Sequence, residues 1–192
     1  MNALWIGDPV GLTHDQEELA WLEAFRRGEP GGAAPLYDRH GERMKSIARN
    51  LLGNGPDAED AVQDAFLKAF RSAEDFRGTC RLSTWLYRLV VNTCYDLLRR
   101  KKRRPVAQPL DDVISMPAAA EDHELRLSLE QSLSQLGERP RTAFLLYAVE
   151  GLSHKEIGEV LEISESGSKS LLFEARRKLQ RLLLERPGRD VR

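Results

Sequence analysis

Apolar side chains recur at intervals of three and four residues along most of this chain, and no alternating stretch of useful strand length interrupts them. The pattern predicts helices only. "HDQEELAWLEAFRRG" follows Thr13, a good N-cap, carries its acids early, and closes on Arg26 and Arg27, where cations suit the helix dipole. "GGAAPLYDRHGERMKSIARNLLG" predicts a second helix ending near Gly53, and "PDAEDAVQDAFLKAFRSAEDF" a third that starts at Pro56 or Asp57. A fourth lies within residues 76–104. Its Leu86, Leu89, Val90, Cys94, Leu97 and Leu98 follow the helical rhythm and should face a core.

Pro105 stops that helix. The stretch "PVAQPLDDVISMPAAAEDHE" holds three prolines and no helical period, so it reads as a linker. Four further helices are predicted beyond it, in "LRLSLEQSLSQLG", "ERPRTAFLLYAVEG", "SHKEIGEVLE" and "SESGSKSLLFEARRKLQRLLLE". The predicted architecture is all-α: a helical domain over 13–104, a flexible acidic linker over 105–122, and a second small helical domain over 123–186.

The second domain has the layout of a helix-turn-helix. Ser153 caps a short helix whose Ile157, Val160 and Leu161 face inward, and Gly158 allows the next helix to cross closely. Ile163 packs within the turn. Ser164 caps a helix with the apolar stripe Leu172, Ala175, Leu179 and Leu182, leaving Ser166, Lys169, Ser170, Phe173 and Arg177 on the other side. A helix displayed in this way suits the DNA major groove. A helical hairpin with a solvated charged face is the plainer reading of the same residues. Glu162 stands where the turn often prefers glycine, and Ser168 where an apolar β-branched residue would lock the two helices.

Charge sharpens the picture. The chain of 192 residues has a formal net charge of -1, but the sign alternates along it. Residues 1–30 sum to -4, 31–104 to +6, 105–135 to -5 and 136–192 to +2. Two relatively basic blocks separated by acid speak to partners rather than to fold. On the fourth helix, opposite its core stripe, stand Arg88, Asn92, Tyr95 and Arg99. An amide reads base edges, arginine pairs with phosphate, and an aromatic stacks on an unpaired base. Phe76, Arg77 and Arg81 precede that helix in position to surround a base pulled from its stack. The basic run from Arg99 and Arg100 to Arg104 grips phosphate without regard to sequence, or simply complements a helix end. Trp85 is read as core rather than as a wedge.

Other chemistries find little support. His14, His40, His123 and His154 are scattered, Cys80 and Cys94 form no metal-ligand pattern, and no glycine-rich loop follows a strand. No enzyme, metal or cofactor is expected. The N-terminus lacks the basic and apolar regions of a secretory signal, and no apolar run approaches membrane-spanning length, so a cytoplasmic protein without membrane insertion is expected. The cysteines suit that reducing compartment.

"DAEDAVQDAFLKAFRSAEDFRG" followed by "STWLYRLVVNTCYDLLRR" resembles region 2 of bacterial sigma factors of the extracytoplasmic-function type. "LSQLGERPRTAFLLYAVEGLSHKEIGEVLEIS" with "KSLLFEARRKL" resembles their region 4. The resemblance spans roughly residues 14–186 in the family's order. It implies a sigma factor that binds core RNA polymerase and directs promoter-specific initiation, with promoter DNA as its second partner and an anti-sigma factor as a common third.

By the same resemblance, Phe76 and Asn92 match positions around the captured -10 base, and Lys169, Ser170 and Phe173 match recognition-helix contacts to the -35 element. Asp60, Gln63 and Asp64, with Leu67 beside them, match the surface that docks on polymerase. Their acid-and-apolar mixture independently suits a protein partner better than DNA. The linker acids Asp111, Asp112, Glu121 and Asp122 would thread toward the polymerase cleft, though a soluble spacer fits them equally. Leu171 and Glu174 stand where the family commonly has arginine, and Ser168 where it has valine, which leaves -35 recognition open. A stand-alone helix-turn-helix regulator of duplex operators is the alternative, and it leaves the first domain's capture loop and acidic third helix without a role.

Overall fold

The computed structural model describes residues 14–103, 129 and 131–184. The Thr13 cap and the linker with its four acids lie outside the described residues. Helix α1 (His14–Arg26) turns at Gly28 into α2 (Pro30–Leu52), with proline in the first turn, where a missing N–H is no loss. Gly53 ends α2 in the left-handed conformation, φ 80°, its N–H donating to the Arg49 carbonyl at 2.8 Å. Helix α3 (Gly55–Arg71) begins slightly earlier than predicted. The Asn54 side chain accepts from the Asp57 N–H at 2.8 Å, so Gly55 and Pro56 fall inside the first turn.

After a short 3-10 turn (Ala73–Asp75) comes α4 (Leu82–Arg103). Residues 131–134 are helical, followed by α5 (Glu138–Ala148), α6 (His154–Leu161) and α7 (Glu165–Leu184). Among the described residues there is no strand, and no helix is long and apolar enough to cross a membrane.

Two helical units form from elements of the kind the periodicity predicts. In the first, α3 buries Ala58, Ala61, Val62, Ala65 and Ala69, a face of small side chains that lets α2 and α4 approach closely. Met44 and Ile47 of α2 and Leu86, Val90 and Cys94 of α4 complete the interior. In the second, Leu145, Leu146, Ile157, Ala175 and Leu179 join α5, α6 and α7.

The sequence reading does not foresee that the units pack on one another. Helix α6 lies against α4, α5 lies against α2, and one continuous core runs through both. This explains why Tyr87, Val91 and Tyr95 are buried although they lie off the predicted core stripe. Helix α4 has more than one covered side.

Candidate nucleic-acid interface

The loop between the 3-10 turn and α4 is held from outside its own segment. Arg26 of α1 donates from Nε to the Ala73 carbonyl at 2.8 Å and from Nη2 to the Phe76 carbonyl at 3.0 Å. A planar guanidinium is suited to such a two-carbonyl clasp. The Phe76 ring packs on Trp85 at 5.4 Å between centroids and is 9% exposed, while Trp85 itself is buried, in accord with its reading as core. Gly78 takes φ 70°, a conformation that favours glycine, and exposed Arg77 and Arg81 flank it.

Along α4 the candidate residues separate. Asn92, Arg99 and Arg100 are exposed, and Arg99 pairs with Asp96 at 3.2 Å. Arg88 is half-buried and reaches Glu162 of the second unit at 3.4 Å. Tyr95 points into the contact between the units, where its hydroxyl donates to the Thr142 hydroxyl at 2.8 Å. Burial pushes its phenol up to about 12, so it stays neutral. Cys80 and Cys94 are free; burial raises the Cys94 thiol to about 12, away from thiolate chemistry.

The third helix presents a different face. Asp60, Gln63, Asp64 and Leu67, spaced at i, i+3, i+4 and i+7, are all exposed. Leu67 is 54% and Phe70 49% exposed, so the face mixes carboxylates with large apolar groups. That mixture suits a protein surface rather than a polyanion. Sequence reading did not mark Phe70, although its place three residues after Leu67 was available as a signal.

In the second unit the helix-turn-helix geometry is fixed by short-range contacts. The Ser153 hydroxyl accepts from the Glu156 N–H at 3.3 Å, and the Glu156 carboxylate accepts from the Ser153 N–H at 2.9 Å, closing a capping box. The Ser153 hydroxyl also donates to Glu156 Oε2 at 2.7 Å, and that bond, with the one from the Ser153 N–H and the Arg81 and Arg43 charges, holds the Glu156 carboxyl below its ordinary range. A Cβ on Gly158 would stand 2.8 Å from the Ile163 carbonyl oxygen, so only glycine fits without a shift. Glu162 occupies the turn in the left-handed region, φ 55°. Ser168, an apparent weakness in the sequence, is fully buried with its hydroxyl 3.1 Å from His154 Nδ1.

Ser166, Lys169, Ser170, Phe173, Glu174 and Arg177 are all exposed on α7. Phe173 is 67% exposed. Lys169 pairs with Glu165 at 2.6 Å, and the Ser170 hydroxyl donates back to the Ser166 carbonyl at 3.0 Å. Arg176 turns away, its guanidinium over the Tyr147 ring at 5.3 Å.

Sequence reading missed Glu150. Its Oε1 accepts from the Ser46 hydroxyl at 2.7 Å and from the Asn50 amide at 3.0 Å, and its side chain is 6% exposed. The partners lie about a hundred residues upstream, so no local pattern marks the pair.

Comparison with known proteins adds an independent line. Residues 36–104 match the profile of sigma-70 region 2, and residues 126–179 that of sigma-70 region 4. The ECF RNA polymerase sigma factor SigM of Mycobacterium tuberculosis is 34% identical over 173 residues, covering 90% of this chain and 88% of that protein. Among solved structures, CnrH in complex with the cytosolic domain of CnrY superposes with a TM-score of 0.66 at 24% identity, covering 88% of this chain and 99% of that one. The sigma factor RpoE in complex with the anti-sigma factor NepR from Bartonella quintana gives 0.57 at 24% identity, covering 90% and 97%. At such identity the two structures speak to the fold alone.

Proposed function

We propose how the two helical units divide the work of a chain that belongs to the sigma-70 family, among the extracytoplasmic-function RNA polymerase sigma factors. Such a chain binds core RNA polymerase and directs it to promoters. Its action is binding and strand capture rather than bond chemistry, and its place is the cytoplasm, where polymerase works.

The first unit docks on polymerase through Asp60, Gln63, Asp64 and Leu67, and holds the melted -10 strand. Asn92 reads a base edge, Phe76 with Arg77 and Arg81 surrounds the extruded base, and Arg88, Arg99 and Arg100 meet phosphates. Tyr95 joins that face only when the units part and its bond to Thr142 is broken. The second unit reads the -35 element with Ser166, Lys169, Ser170, Phe173, Glu174 and Arg177. An anti-sigma factor, of the kind that the RpoE structure names, is the third partner.

The observation that carries this reading is the pairing of two exposed faces with opposite chemistry. One is the acid-and-apolar face of α3, and the other is the hydroxyl, cation and aromatic face of α7. A stand-alone duplex binder has use for only the second. Run-off transcription with purified core polymerase on a genomic promoter library is the test. Chain-dependent transcripts support the reading. Tight, sequence-specific duplex binding by the chain alone, with no effect on polymerase, would point to a helix-turn-helix regulator instead.

A further inference from the structure

Arg181 has no role in the assignments made so far. It is exposed in the last turn of α7, and among the described residues it forms no ion pair and no hydrogen bond. Phe173, Arg177 and Arg181 follow one another at intervals of four residues, so they share one stripe of the helix. A surface cleft of about 390 Å³ runs along that stripe, lined by Phe173, Glu174, Arg177, Lys178 and Arg181. Lys178 already has a partner: its Nζ donates to the Gln135 carbonyl at 2.5 Å and ties α7 to the segment before α5. Two guanidinium groups one turn apart remain. Like charges at that spacing weaken a helix, and an anion lying between them would reverse the effect.

We propose that Arg181 grips a backbone phosphate at the edge of the -35 major groove, two turns beyond Phe173, with Arg177 beside it. The proposal rests on the -35 assignment made above. A helix rises ~1.5 Å per residue, so Arg181 stands about 12 Å beyond Phe173 along the axis and about 18 Å beyond Lys169. The major groove is only ~12 Å wide. With the N-terminal residues of α7 on base edges, Arg181 lies past the groove floor and at its wall, where the phosphates run.

Such a contact is with charge alone, so it adds affinity at every -35 sequence and no preference among them. It also offsets Glu174, which stands exposed seven residues earlier on the same face and repels the same backbone. A cation in the last turn of a helix suits the helix dipole without any DNA, and that plainer role is what the experiment must separate.

The test uses holoenzyme, the full chain with core RNA polymerase, on a duplex promoter recovered by run-off selection. Arg181→Gln removes the charge and keeps a good helix former, and circular dichroism checks that helix content is unchanged. The variant should bind roughly 3- to 10-fold more weakly at about 0.15 M salt. Its slope of log affinity against log salt should be shallower by about 0.9, the value for one phosphate. The loss should be equal on every single-base -35 variant, and Arg181→Lys should restore most of it. Single phosphates flanking the -35 element are then replaced by neutral methylphosphonates. One position should weaken wild type by the same factor and leave Arg181→Gln unaffected. A cation that only complements the helix dipole gives no such position, and that result overturns the proposal. Arg181→Gln binding like wild type overturns it as well. In both cases the -35 assignment stands if single-base -35 changes still shift affinity. If those changes have no effect, the -35 assignment fails and the Arg181 contact fails with it.

Discussion

The hydroxyl of Ser168, fully buried at the start of α7, meets Nδ1 of His154 at 3.1 Å across the helix-turn-helix. His154 in turn stacks on Tyr147 of α5, with 4.9 Å between ring centroids and 24° between planes. A polar lock takes the place of an apolar one. Ser168→Ala should cost about 1–2 kcal/mol, because it leaves the imidazole nitrogen without its partner. Paired with His154→Ala in a double-mutant cycle, the coupling should reach ~0.5–1.5 kcal/mol by denaturant unfolding. Additive losses would show that the contact contributes nothing of its own.

Asn92→Ala and the double change Asp60→Ala with Gln63→Ala should fail at different steps. The amide stands exposed on α4 and the acid pair on α3. Losing the amide should cost about 1–3 kcal/mol at a single -10 position, with core binding intact. Losing the acid pair should weaken core binding at every promoter alike. Polymerase affinity and open-complex formation, measured on the same templates, separate the two.

Glu174 should act by repulsion. Arg176, which might have shielded it, is instead engaged over Tyr147, while Arg177 remains on the exposed face. Glu174→Arg should tighten holoenzyme binding at many -35 sequences and steepen its salt dependence by roughly one to two phosphate equivalents. Loss of discrimination at one base pair by ~1–3 kcal/mol would instead mean that the carboxylate accepts from a cytosine amino group. Affinities across single-base -35 variants at two salt concentrations decide between them.

Acid should destabilise the first unit through His40. Burial first, and the neighbouring Arg39 charge second, lower its imidazole to about 4, against an ordinary value near 6.5. The folded chain therefore holds the neutral ring, and the unfolded chain takes up the proton first as pH falls. The contribution of His40 to stability is constant above about pH 6.5, falls between there and about 4, and is level below. The full shift would be worth ~3 kcal/mol, but the Glu18 carboxylate 3.2 Å from Nε2 pulls the other way. It lacks hydrogen-bonding geometry, so it offsets burial only in part, and about 1–2 kcal/mol should remain. His40→Gln should flatten that limb of a pH–stability curve.

Much of the fold was legible because its signals are local. Ser153 caps its helix with bonds that span three residues, as its place before the short helix predicts, and the alanine face of α3 is written in its spacing. Gly158 was read correctly as a close crossing. What could not be read depends on residues far apart in sequence. The periodicity of α4 gave one core stripe, and only the arrival of α6 buries its further side. Tyr95 looks like a stacking residue until Thr142 is placed opposite its hydroxyl. Ser168 looks like a defect until His154 is beside it. In each case the partner that gives the side chain its place lies outside the local pattern.

The clasp of Arg26 on the carbonyls of Ala73 and Phe76 bears on how this protein can be dissected. The stretch that matches region 2 begins at residue 36, so a fragment cut to that boundary discards α1 altogether. Two loop carbonyls would lose their donor, and the aromatic they carry would lose its fixed aim. Such a fragment could keep its helices and still misreport the strand-binding loop. Fragments meant to isolate that loop should begin no later than His14.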